Sequence, residues 1–107
     1  MAISNKKLKP LTVSPQAQID INNILIYLSY NWSAKEIEDF LKKLEAFYTI
    51  IAINPRIFGY YNRSKNIRSY ALTKQNIIYY RNRKSAVEII TVFDGRQNPA
   101  KLKKALK

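Results

Sequence analysis

The chain is predicted to fold as an α+β layer of order β-α-α-β-β-β, a helical hairpin packed on a mainly antiparallel sheet. Apolar residues recur at three- and four-residue spacing through the first half of the 107 residues. After Pro55 that period gives way to short apolar runs separated by polar turns. Helices grouped ahead of strands, rather than alternating with them, argue for one antiparallel sheet with its helices on a face. The length suits a single domain over residues 1–107 and is too short for two. An apolar content of 47% is too high for a disordered chain.

Leu8 to Val13 alternates loosely and reads as a short strand. Ser14 then caps a helix whose first residue is Pro15, where the missing N–H costs nothing. Ile21, Ile24, Leu25 and Leu28 place one apolar face on that helix, which fades near Asn31. Ser33 and Glu36 have the spacing of a capping box for the second helix. Its stripe runs through Ile37, Phe40, Leu41, Leu44, Phe47, Tyr48 and Ile51 and stops at Asn54-Pro55. Three strands follow, at 67–72, 76–81 and 87–93, joined by turns at Thr73–Gln75 and Asn82–Ser85. The near-continuous apolar run of the third marks it as central and buried. Pro99 to Leu106 adds a short basic turn or helix.

The composition excludes several chemistries. With no Cys and no His there are no disulfides, no thiol nucleophile, no imidazole base and no soft metal site. No paired carboxylates and no glycine-rich phosphate loop emerge, so neither metal nor cofactor is expected. Met1 to Pro10 carries Lys6, Lys7 and Lys9 without a long apolar run behind them, unlike a signal peptide. No stretch approaches the ~20 apolar residues of a membrane span. A cytoplasmic protein with no membrane partner is the expectation.

The net charge is +12, and it is lopsided. Residues 1–55 hold six Lys/Arg against five acids, whereas residues 56–107 hold thirteen against Glu88 and Asp94. A half-molecule this basic points to a polyanion or an acidic protein partner.

A set of motifs then carries a family resemblance. They are Val13-Ser14-Pro15 at the first helix and Asn54-Pro55 to Phe58-Gly59 after the hairpin. Ile67-Arg68 to Ala71-Leu72 and Ile77 to Arg81 follow on the meander, and Val92-Phe93-Asp94-Gly95-Arg96-Gln97-Asn98-Pro99 closes it. In this order and length they resemble the RelE/ParE toxins of type II toxin–antitoxin systems, the plasmid-stabilisation type. The resemblance implies a toxin, with a cognate acidic antitoxin that folds onto it. Two modes of action are open. The RelE-like mode is a ribosome-dependent mRNA endonuclease, for which Arg68, Arg96 and Tyr80 are the candidate catalytic residues. The ParE-like mode is inhibition of DNA gyrase without chemistry of its own. Tyr70, Ile77 and Leu102 stand where RelE-type toxins carry cations or a Tyr, so the resemblance leans towards ParE. Whether the chain is an enzyme stays open, leaning against. A third reading is a non-toxic, basic nucleic-acid-binding domain.

Arg68, Arg81, Arg83, Lys84 and Arg96 are the candidate target contacts. Arg is a charge clamp and a poor base, because it stays protonated at ordinary pH. Each has a plainer reading: a soluble turn for Arg81, Arg83 and Lys84, and an ion pair with Asp94 for Arg96. A tyrosine hydroxyl supplied by Tyr70, Tyr79 or Tyr80 competes with simple packing on the sheet. Tyr60-Tyr61-Asn62-Arg63 and Trp32 offer a stacking surface for bases, or caps on the core edge. Lys101, Lys103, Lys104 and Lys107 read as a solvated tail.

Overall fold

The computed structural model describes residues 8–107; Lys6, Lys7 and the rest of the leading segment lie outside the described residues. Strand β1 (Leu11–Val13) leads into α1 (Pro15–Asn31) and α2 (Ala34–Ile53). Then come β2 (Tyr60–Asn62), β3 (Ile67–Ala71), β4 (Asn76–Asn82), β5 (Val87–Asp94) and α3 (Pro99–Ala105). The sheet order is β1-β5-β4-β3-β2. β1 runs parallel to β5, and every other pairing is antiparallel.

The helices begin where the capping chemistry placed them. The Ser14 hydroxyl accepts the Ala17 N–H at 3.0 Å and donates to the Ile90 carbonyl at 2.6 Å. One side chain thus caps α1 and ties its start to β5. At α2 the Glu36 carboxylate accepts the Ser33 N–H at 3.0 Å, closing the capping box. Glu38 lies on the solvent face of α2, paired with Lys42 at 3.2 Å. The Thr73 hydroxyl shapes the β3–β4 turn by accepting the N–H groups of Gln75 and Asn76.

β5 is an interior strand, between β1 and β4, and both its faces are covered. Ala17, Phe40, Leu44, Phe47 and Ile51 of the hairpin pack on Ile78, Tyr80, Val87, Ile89 and Val92. On the opposite face α3 lays Leu102 and Leu106 against Ile67, Tyr79, Ile90 and Phe93. A bulge explains the spacing. Tyr79 pairs with Thr91 but Tyr80 with Ile89, which leaves Ile90 without an opposite residue. After that slip, Ile89 and Val92 face the hairpin, while Ile90 and Phe93 face α3. A strand buried on both sides reads as a continuous apolar run rather than an alternating one.

Two elements differ from expectation. β2 is an additional edge strand of three residues, held to β3 across an irregular register. The first strand is shorter than the Leu8–Val13 run, beginning at Leu11. Among the described residues no helix is long and apolar enough to cross a membrane.

Candidate functional site

The candidate residues on the meander are drawn into two different environments. Arg68 and Tyr80 face each other across β3 and β4. Arg68 is 9% exposed and Tyr80 is fully buried. The Tyr80 hydroxyl donates to the Pro55 carbonyl at 3.0 Å. Arg68 Nη1 donates to the carbonyl of Phe58 at 2.8 Å and to that of Arg56 at 3.4 Å. The Arg68 guanidinium also lies over the Tyr60 ring, 3.9 Å from its centroid, and Arg63 approaches the same ring at 5.2 Å. Together these contacts fasten the segment between α2 and β2 onto the sheet. Burial raises the Tyr80 pKa above its ordinary value, with the neighbouring Arg68 charge opposing it. A phenol so held stays protonated at neutral pH and is poorly placed to move a proton for a substrate.

Arg81 is similarly occupied. Its Nε donates to the Lys65 carbonyl at 3.1 Å and its Nη2 to the Leu106 carbonyl at 3.4 Å, with Glu88 at 3.9 Å. It clasps the β2–β3 turn and the end of α3. Arg83, Lys84 and Arg96 are exposed. Arg83 reaches Glu88 at 3.0 Å, a surface pair worth at most ~1 kcal/mol. Arg83 and Lys84 precede β5 and Arg96 follows it. Eight residues of strand at ~3.3 Å each put roughly 25 Å between these two positions. The five cations therefore do not form one cluster.

Arg96 sits in a groove of about 500 Å³ between the hairpin turn, the β3–β4 turn and the exit of β5. It grips Asp94 with two bonds, Nη2 to Oδ2 at 2.7 Å and Nε to Oδ1 at 3.0 Å. The Arg96 bond holds the Asp94 carboxyl below its ordinary 3.8. A lowered carboxyl contributes stability that is complete above the ordinary value and lost as pH falls through the lowered one. By NMR the Asp94 titration should sit below 3.8 and return towards it in Arg96→Ala; no movement would show that the pair does not form in solution.

The remaining candidates also separate. Tyr61 stands edge-on to Tyr79 at 4.9 Å, and Tyr70 meets Phe58 at a tilt at 4.2 Å and stacks with Phe47 at 5.4 Å. Trp32 lines the groove, whose lining includes no residue of β2, so it does not extend a stacking surface with Tyr60 and Tyr61. Ile77 and Leu102, at places where a cation or Tyr is absent, pack in the cluster beneath the sheet. Of the basic tail, Lys101, Lys103, Lys104 and Lys107 are exposed around α3.

One residue was missed by sequence reasoning. Asp20 accepts both the Thr91 hydroxyl and, at 3.0 Å, the Val92 N–H. β1 pairs with β5 only as far as Ile89, and the Asp20 carboxylate takes up the strand edge beyond it. The signal was present, since Asp20 is the one charged residue in α1.

The comparisons with known proteins agree with this architecture. The family model for the ParE toxin of type II toxin–antitoxin systems, parDE, matches residues 11–99. A solved structure from P. aeruginosa, described as a chromosomal ParDE TA system, superposes with a TM-score of 0.67. The match covers 83% of this chain and 98% of that one at 10% identity, a likeness of fold. No curated protein matches the chain. The match from β1 through the sheet to the start of α3 shows that the chain belongs to the ParE family of type II toxin–antitoxin toxins.

Proposed function

We propose that the chain is a cytoplasmic toxin that inhibits DNA gyrase by binding it, and that residues 1–107 act as one domain. The observation that carries this reading is the commitment of Arg68 and Tyr80 to the backbone carbonyls of Pro55, Arg56 and Phe58. Cleaving RNA without imidazole needs free cations around the phosphate and a group that moves protons. Here two of the three candidates are spent on holding a loop, and Arg96 is bound to Asp94. What stays exposed is charge, which suits docking on a protein or a protein–DNA complex. Between Glu45 and Glu88 the chain has no acid and eight Lys/Arg. That field also suits neutralisation by an acidic antitoxin wrapped over residues 56–107.

The test is a supercoiling assay with purified toxin and gyrase, run beside a translation reaction in which message length is followed. Supercoiling should stop while the message stays intact. Discrete cuts in the message with supercoiling untouched would transfer the chain to the ribosome-dependent nuclease reading. Salt-sensitive nucleic-acid binding with neither effect would leave a plain basic domain. Replacing Arg83 and Lys84 together by Ala should weaken inhibition by roughly three- to tenfold, as rim charges do. Their melting temperature should stay near that of the parent, because neither cation is buried. Unchanged inhibition would remove this turn from the contact surface.

A further inference from the structure

The two helical layers on the sheet differ in sign. Residues 15–53, the hairpin, hold five acids against three lysines, whereas residues 54–107 hold thirteen Lys/Arg against Glu88 and Asp94. The hairpin covers one face of the sheet and α3 the other. α3 is not the solvated tail that its composition suggests. Leu102 and Leu106 are buried against the sheet, and Arg81 Nη2 holds the Leu106 carbonyl at 3.4 Å. The same guanidinium holds the Lys65 carbonyl at 3.1 Å, and Asn66 Nδ2 donates to the Asn82 carbonyl at 3.1 Å. The β2–β3 turn, the β4–β5 turn and the end of α3 therefore meet at one end of the molecule. Lys65, Lys84, Lys101, Lys103, Lys104 and Lys107 are exposed on these turns and along α3. Among the described residues, none of the six makes an ion pair. The acid of this end, Glu88, is already engaged by Arg81 and Arg83.

Unpaired cations mounted on a docked helix and two fastened turns make a surface for closely spaced phosphates. Resting on the gyrase reading above, we infer that the toxin itself grips the duplex DNA on which that enzyme works. α3 and the two turns lie along the phosphate backbone, and the hairpin, with its excess of acids, faces away. The opposite signs of the two layers give the contact one orientation. A duplex fits this surface better than a single strand does. Single strands are held by bases stacked on aromatic rings. On this side of the sheet Tyr61 and Tyr79 are packed on each other, and Trp32 stands at the far layer, at the end of α1. The lysines are point charges that meet phosphate and read no base edge, so the grip is independent of sequence.

The experiment follows the fluorescence anisotropy of a labelled DNA duplex of mixed sequence as toxin is added, at several salt concentrations and without gyrase. Binding is expected with a dissociation constant of about 1–100 μM at physiological salt, tightening as salt is lowered. Changing Lys101, Lys104 and Lys107 together to Gln should weaken binding at least about tenfold at low salt and reduce the slope of log affinity against log salt by about two to three. Changing Lys35, Lys42 and Lys43 of the hairpin together to Gln removes the same net charge from the other layer and should cost less than about twofold. All six side chains are exposed, so both variants should keep the thermal transition of the parent. Equal weakening by the two triple variants would reduce the effect to net charge and overturn the proposal. A preference for single-stranded DNA or for RNA over the duplex would overturn it as well. Supercoiling blocked by a toxin that does not bind DNA would sink the DNA contact and leave the gyrase reading standing. Binding that depends on the α3 lysines, with supercoiling untouched, would uphold the contact and sink the gyrase reading.

Discussion

Phe47→Ala is expected to lower the unfolding free energy by about 3–5 kcal/mol, the usual cost of removing a buried ring from a packed core. Phe47 is 1% exposed. Its ring stacks with Phe58 at 5.8 Å and Tyr70 at 5.4 Å, and meets Tyr80 edge-on at 5.7 Å. It therefore joins α2 to the loop after the hairpin and to β3 and β4 of the sheet. The cavity left by Ala cannot close easily, because Tyr80 and Arg68 are hydrogen-bonded to that same loop. In a domain of this size each kcal/mol moves the melting temperature by roughly 4–8 °C, so the variant should be largely unfolded when warmed modestly. Urea unfolding followed by circular dichroism measures the loss. A change under about 1 kcal/mol would mean that the aromatic cluster does not hold the hairpin on the sheet.

Asp20→Ala should cost about 2–3 kcal/mol, the range for hydrogen bonds to a charged group whose partners are left unpaired. The Thr91 hydroxyl and the Val92 N–H would both lose their acceptor, and Thr91 is 1% exposed. Asp20→Asn keeps one acceptor oxygen and should lose less. A more specific readout is amide exchange. In Asp20→Ala the Val92 amide should exchange faster by a larger factor than amides elsewhere in β5. Equal acceleration along the strand would indicate global loosening and deny Asp20 its place at the strand edge.

The two predictions concern residues that the sequence displays very differently. Phe47 stands in a stripe of seven apolar positions, and its burial follows from helical spacing alone. Asp20 is a single acid between Ile19 and Ile21, and what it serves is a strand more than seventy residues away. The same division holds for the whole chain. Caps, helix ends, turns and the three long strands rest on contacts between near neighbours, so residue type and spacing suffice for them. β2 has three residues and an irregular register, too short for a period to show.

The candidate site divides along the same line. Arg68 and Arg83 look alike on paper, each a cation near a strand end. The sheet register sets Arg68 opposite Tyr80 beneath the loop after the hairpin, and leaves Arg83 in solvent. The acids lining the groove were just as hard to see, because Asp20, Glu36, Asp39 and Asp94 come from two helices and the end of a strand. Sequence alone determined the α+β layer, the boundaries of its helices and the excess of positive charge in the second half. Only the tertiary structure decided which cations are free, which hold the backbone in place, and where the few acids gather. Those outcomes depend on long-range packing and on a one-residue bulge, and neither leaves a local pattern.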